Sequence, residues 1–526
     1  MNFTEWFLFF LVIQLIHFAG TWKLYQRAGR KSWEAAIPVY NAIVLAGIIK
    51  RPKWWVILLF FPIVNQLMFP VFWIETARSF GFNQRKDTIL VVLTLGLYLF
   101  YINYTTDAPY KKDRDLKPRT SLGEWVSAIA FAIIAATMVH TYFMQPYVIP
   151  SSSLEKTLLV GDYLFVSKFH YGARAPMTTV AAPMIHDTIP LTKKKSYLFS
   201  DNYEERETSL LNKLQLPYMR VPGFQKIKRN EIVVFNQPAD TLLDMNDFRP
   251  DRNYYKPIDK KTNLVKRCVG IPGDSLEIRD GYVFINGKQT VLPDRAKPQY
   301  NFRVKAPGFN PNDFYTVYNT REDVRAFQNG DFYVTLTDKE AEMLRKHSKV
   351  TSVTKFLTPK GDSDPSVFPH VPSLGWNVDN FGPIYIPKKG ATVKLDAYSM
   401  PFYKRVISEY EGNQLDIIGD NYFINGKKAD SYTFKQDYYW MMGDNRQNSI
   451  DARMWGYVPF NHVVGKPVLI WFSRDANTGK IRWDRMFTTV GGDGEPVSYL
   501  RYVLIALVLY LVYSFFLKGK LRKSKQ

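Results

Sequence analysis

The chain has 526 residues, of which 46% are hydrophobic, 16% aromatic and 22% charged. It is too apolar for a disordered polymer and has ample material for a packed core. Its 69 Lys and Arg outweigh 48 Asp and Glu, a formal charge of +21, which points to an anionic partner, either nucleic acid or an anionic membrane face. A single cysteine, Cys268, excludes an intramolecular disulfide and any cysteine-based zinc site. The mean hydropathy of −0.21 averages two regimes, because residues 1–145 and the C-terminal stretch carry long apolar runs and the middle does not.

In chain order, the runs 6–22, 54–74, 88–106 and 125–143 each approach or exceed the roughly 20 helical residues that cross a hydrocarbon core. A fifth, 502–517, is long enough if Arg501 snorkels to the interface. Trp54, Trp55, Tyr98, Tyr101, Trp125 and Tyr142 sit at the ends of these runs, as an interfacial belt requires. The run 35–49 is short and carries Pro38 and Asn41, so it reads as interfacial or re-entrant. The basic residues of the first run follow its apolar stretch instead of preceding it, which argues against a cleavable leader. Basic clusters at Lys23–Lys53, at Lys111, Lys112, Arg114, Lys117 and Arg119, and at Lys518, Lys520, Arg522, Lys523 and Lys525 share one face if five spans cross with the N-terminus outside. Residues of about 145–497 then face outward, and only the loop at Arg78, Arg85 and Lys86 argues against this. The positive charge is thereby spent on topology, and no nucleic-acid partner is needed.

From Tyr147 onward, short alternating apolar runs between Gly, Pro and Asn-Gly predict strands at 163–166, 231–235, 264–270, 282–285, 384–386, 422–424 and 468–472. A helix is expected at 338–346. One repeat stands out: Gly273–Ile278 with Phe284–Lys288 recurs as Gly412–Ile417 with Phe423–Lys427, at a constant offset of 139 residues. Asn-Gly after an alternating run predicts a tight hairpin in each copy. Between the copies, residues of about 290–380 read as an insertion.

Three segments stand out, although each taken alone also reads as structure: two as polar turns and one as a strand whose lysine snorkels to water. Ser151-Ser152-Ser153-Leu154-Glu155-Lys156-Thr157-Leu158 begins a few residues beyond the 125–143 run. Lys266, between Val265 and Arg267 on an apolar strand, would be deprotonated more easily when stripped of water, and only a neutral amine can accept a proton. Gly443-Asp444-Asn445-Arg446-Gln447-Asn448-Ser449-Ile450-Asp451-Ala452-Arg453 is polar and turn-rich. No histidine lies in any of the three, and no His-Glu-x-x-His spacing occurs, so neither a Ser-His-Asp arrangement nor that zinc motif has a candidate. A lysine neutralised by burial is the remaining way to activate a serine.

Taken together, the segments resemble the bacterial type I signal peptidase (leader peptidase) family, peptidase family S26. The order of motifs is reproduced over about 145–285 and 380–475: the serine box, the 231–235 strand, Lys266-Arg267-x-x-Gly270-x-Pro272-Gly273-Asp274, and the Gly443–Arg453 box. The apolar runs predict a multi-span α-helical membrane region, about three spans plus the interfacial or re-entrant segment before residue 110, and the resemblance implies a mainly β extracytoplasmic catalytic domain of the signal peptidase type. The membrane region would be 1–110, followed at 111–145 by a cytoplasmic loop and the helix leading to the catalytic domain. The protease domain would be 146–495, and 496–526 a last membrane helix with a basic tail.

By carry-over, Ser153 is the nucleophile, Lys266 its general base, and the Ser151 hydroxyl with the Ser153 amide the oxyanion hole. Ser449 would orient the Lys266 amine, supported by Asp451, Arg453, Gly443 and Asp444. Tyr147, Ile149, Leu158, Leu264 and Val265 match positions lining shallow pockets for small side chains before the cut. Leu154 replaces the family's methionine. Lys156 stands where the family has proline, which would loosen the turn presenting Ser153. The implied activity is removal of signal peptides from exported preproteins at the outer (periplasmic) face of the cytoplasmic membrane, with the lipid bilayer and those preproteins as partners and no cofactor or metal. A catalytically silent membrane scaffold that binds exported chains is the alternative. Trp455 and Tyr457 read either as interfacial or as core aromatics, and Cys268 as a buried small hydrophobe.

Overall fold

The computed structural model describes residues 1–118, 120–244, 252–318, 320, 322 and 324–517, so Arg119 and the basic tail from Lys518 lie outside the described residues. The chain forms two compact units. The first contains Met1–Met144, Ala173–Val221 and Asp240–Thr262; the second contains Gln145–Gly172, Pro222–Ala239 and Asn263 onward.

In the first unit, the helix Phe3–Arg27 starts at an Asn2–Glu5 capping box, and Phe3, Phe7, Leu8, Val12 and Leu15 along it are exposed. The helix Ser121–Phe143 likewise presents Trp125, Val126, Ile129 and Phe131 outward. These two are long and apolar enough to cross a bilayer. Unbroken spans at 54–74 and 88–106 are not observed. The first breaks between the helices Trp55–Leu58 and Val64–Ser79, where Pro62 disfavours helical backbone before it and Ile63 takes a φ of 70°. The second bends by 116° between Arg85–Leu93 and Tyr98–Thr105, at Leu95 and Gly96, both of positive φ. A Cβ on Gly96 would come within 2.8 Å of the Trp73 ring, so the bend packs where a side chain has no room.

Both broken segments return to the end from which they start. Glu75, only 5% exposed, accepts from Arg51 at 3.1 Å, Arg114 at 2.7 Å and Arg78 at 3.4 Å. The Lys111 amide donates to the Ser79 carbonyl at 2.8 Å. Arg78 therefore lies beside Arg51 and Arg114, and in place of five unbroken spans the described residues hold two helices of crossing length, or three if the bent pair counts as one. The run 35–49 folds as the short helix Tyr40–Ile48. The C-terminal apolar run forms a helix from Leu500 that is shorter than the two long ones.

The second unit is built on an antiparallel-paired sheet in the order Met144–Val148, Asp162–Ser167, Val463–Ser473, Ile232–Asn236, Asn263–Gly270, Tyr438–Met442, Val458–Pro459. Lys266 pairs with Val233, and Arg267 with Ile232 on one side and Met442 on the other. A large core contains Val233, Phe235, Cys268, Trp440, Trp455 and Tyr457; a smaller one contains Ile149, Leu154, Leu158, Ile232 and Val234. Trp455 and Tyr457 are thus core aromatics, and Cys268 is fully buried. The repeat folds as two three-stranded meanders of one register, Leu276 opposite Ile285 and Leu415 opposite Ile424, and Asn286-Gly287 and Asn425-Gly426, at positive φ, turn each second strand into the short third, Ile285 opposite Lys288 and Ile424 opposite Lys427. The first copy packs into the large core, whereas Ile417 and Ile418 of the second are exposed. The insertion forms its own four-stranded sheet, ordered Ser352–Lys355, Gln299–Lys305, Asp331–Thr337, Arg325–Ala326, with the helix Asp338–Arg345 against it and a core of Phe302, Val304, Phe314, Phe332 and Leu336.

Candidate active site

The serine box leaves the edge of the sheet as a single 3-10 turn, Ser152–Leu154, preceded by extended Ser151. Leu154 and Leu158 are buried in the smaller core, and Ser153, immediately before Leu154, faces the strand Asn263–Gly270. There the Ser153 Oγ and the Lys266 Nζ lie 2.5 Å apart. Both residues are buried, Ser153 at 8% and Lys266 at 4% exposure, so bulk water does not compete for the contact. Burial pushes the Lys266 ammonium down to about 8; the charge of Asp451 opposes this and that of Arg453 reinforces it.

The two carboxylates whose charges act on Lys266, Asp451 and Asp444, are both matched. Asp451 accepts from the Ser449 hydroxyl at 2.8 Å, the Gly443 amide at 2.9 Å and the Arg453 Nε at 2.9 Å. Burial alone would raise its carboxyl, but Arg453 and the Gly443 amide hold it below the usual range. Arg267 grips Asp444 with two bonds, at 2.7 and 2.6 Å, and the Thr157 hydroxyl adds a third at 2.6 Å. Burial again opposes, and Arg267 prevails, so Asp444 stays ionised. The Asn445 amide donates to the Ser153 carbonyl at 3.0 Å, and its side chain to the Ser152 carbonyl at 3.2 Å. A Cβ on Gly443 would meet the Ser449 Oγ at 2.3 Å and the Ser153 carbonyl oxygen at 2.6 Å, so only glycine lets the two loops approach this closely.

The structure therefore brings Ser153, Lys266, Asp444, Gly443, Ser449, Asp451 and Arg453 into one neighbourhood. Ser449 donates to Asp451, so its link to Lys266 runs through that carboxylate's field. Ser151 is exposed at the start of the turn. Tyr147, Ile149, Leu158 and Val265 gather in the smaller core, whereas Leu264 packs on the larger one and is separate from them. Lys156 has a φ of 67°, a region closed to proline, whose φ is locked near −65°. Its side chain does not leave the turn loose: the Nζ lies 2.5 Å from Glu340 Oε2.

Sequence reasoning missed Arg267, Thr157, Asn445 and Glu340. Arg267 could have been found from its place on an interior strand, where a guanidinium requires a buried carboxylate.

A sequence profile described as signal peptidase, peptidase S26, matches residues 122–335 and 389–472. A family of unknown function matches residues 33–113. Signal peptidase I of Buchnera aphidicola subsp. Baizongia pistaciae is 24% identical over 361 residues, covering 67% of this chain and 79% of that protein. Signal peptidase I of Helicobacter pylori is 23% identical over 70% of this chain and 91% of its own length. The Haemophilus influenzae signal peptidase I is 23% identical over 71% and 78%.

Proposed function

Since the chain belongs to the signal peptidase, peptidase S26, family and is a serine endopeptidase, we propose that Ser153 and Lys266 are its catalytic dyad, and that it cuts signal peptides from exported preproteins after small residues. The observation that carries this reading is the 2.5 Å approach of a buried serine hydroxyl to a buried amine that burial has pushed down to about 8.

With the amine neutral, the Ser153 hydroxyl donates to Lys266 Nζ. As Ser153 Oγ attacks the scissile carbonyl, its proton passes to Nζ, and the tetrahedral oxyanion meets the Ser151 hydroxyl and the Ser153 amide. Lys266 then gives that proton to the departing amine, the C–N bond breaks, and an ester to Ser153 remains. A water that surrenders a proton to Lys266 attacks the ester, Ser153 takes the proton back, and the signal peptide leaves with a free carboxylate. Asp451 and Arg453 form a closed ion pair beside the base, and Ser449 keeps Asp451 oriented. By analogy with the family, the apolar side chains of Tyr147, Ile149, Leu158 and Val265, which gather in the smaller core, would line pockets that accept small side chains and exclude large ones by sterics.

Two helices of crossing length support a cytoplasmic-membrane location, with the β unit on the outer face where an exported chain emerges. The test is incubation of the purified full-length protein with a signal-bearing preprotein, followed by sequencing of the new N-terminus. A single cut after a small residue, lost in Ser153→Ala, is expected; cutting that survives Ser153→Ala overturns the assignment.

A further inference from the structure

We propose that the insertion is a positioning element for catalysis, acting through the Glu340–Lys156 ion pair to hold the turn that presents Ser153. This deepens the reading of Ser153 as nucleophile and rests on it.

Lys156 follows Ser153 by three residues and stands in the left-handed backbone region, at φ 67°, which L side chains rarely adopt without something to hold them. Glu340 supplies that hold at 2.5 Å, and the pair is no screened surface contact: the Lys156 side chain is 6% exposed and that of Glu340 19%. Glu340 is itself fixed, since it forms a capping box with Thr337 at the start of the helix Asp338–Arg345. Two further contacts brace the same turn and its partner loop. The Gln299 side chain donates to the Glu155 carbonyl at 2.9 Å, while its backbone amide donates to the Asp444 carbonyl at 2.8 Å. Asn445, whose amide holds the Ser153 carbonyl, gives its side chain to Glu322 at 2.7 Å. Glu340, Gln299 and Glu322 all come from the insertion, so both loops that shape the site lean on it. Attack on a carbonyl depends on placement to within about an ångström, and a shift of that size costs on the order of a hundredfold in rate.

The experiment compares full-length wild type with Glu340→Gln, Lys156→Met and the double variant. Glutamine preserves the capping box and removes only the charge. Hydrogen exchange of backbone amides in 152–158, read without substrate, should quicken in each variant. The kcat should fall roughly ten- to a hundredfold with KM within about twofold, the double variant should lose no more than either single one, and the reversed pair Lys156→Glu with Glu340→Lys should regain part of the loss. Unchanged exchange in 152–158, or a lowered unfolding temperature with kcat intact, overturns the proposal. If exchange responds but the wild type cuts nothing, the Ser153 reading fails and the brace stands.

Discussion

Two buried charges, one in each unit, are treated in opposite ways. Glu75 in the first unit is surrounded by three guanidinium groups, from Arg51, Arg78 and Arg114, drawn from three separate stretches of chain. Lys266 in the second unit is as well buried, yet its hydrogen bond goes to an uncharged serine hydroxyl, and the carboxylates nearby are already engaged by Arg267 and Arg453. An oversupplied charge ties chain segments together and stays ionised. An undersupplied one is costly to ionise, and that cost is what makes an amine a proton acceptor near neutral pH. The first arrangement is architecture, the second chemistry.

The contrast can be broken most sharply at Lys266. Lys266→Met should lower preprotein cleavage by about three to four orders of magnitude, and Lys266→Arg should do no better, because a guanidinium does not release its proton. For the native enzyme, kcat/KM should rise with pH through about 8, the position to which burial brings this amine. A profile that climbs only beyond pH 10 would return Lys266 to the ordinary solvated class. Glu75→Gln should cost about 3–5 kcal/mol in the first unit, since it leaves three like charges facing a neutral amide; a drop in unfolding temperature with turnover intact in the surviving fraction checks this.

A smaller effect runs the other way. With its folded value depressed from 10.5 to about 8, Lys266 binds a proton in the unfolded chain and not in the native one between those pH values, so stability rises with pH across that window. Below pH 8 the native state bears the full cost, and Lys266→Met should stabilise by about 1–3 kcal/mol. That advantage should shrink to nothing as pH approaches 10.5, read from denaturant unfolding at several pH values. Smallest of all, Ser449→Ala should lower turnover about tenfold by freeing one side of Asp451, a loss near that of one hydrogen bond to a charged group.

Much of the second unit was legible in advance because its signals are local. Alternation predicts the strands Asp162–Ser167, Ile232–Asn236, Asn263–Gly270 and Tyr282–Ile285 to within a residue at each end, and Asn-Gly predicts the turns that pair Ile285 with Lys288 and Ile424 with Lys427. Local signals do not report burial, however: Ile278 lies in the core and its repeat partner Ile417 in the open. The approach of Ser153 and Lys266 was expected from the resemblance alone, since nothing in either segment encodes a contact across 113 residues. Arg267 with Asp444 and Lys156 with Glu340, 177 and 184 residues apart, had no such guide. In the first unit, hydropathy sums over windows and is blind to a single Pro62 or to a bend at Gly96, so two broken segments look like two continuous helices.

The matched carboxylates beside Lys266 have a further effect. Asp444 and Asp451 are each neutralised by a guanidinium held within 3 Å in the interior, where mobile ions do not penetrate. The net charge that these groups present to the base is thereby small, and burial dominates its proton affinity. Because the pairs are fixed and out of reach of mobile salt, changes in ionic strength should leave the working pH range of the base where dehydration sets it.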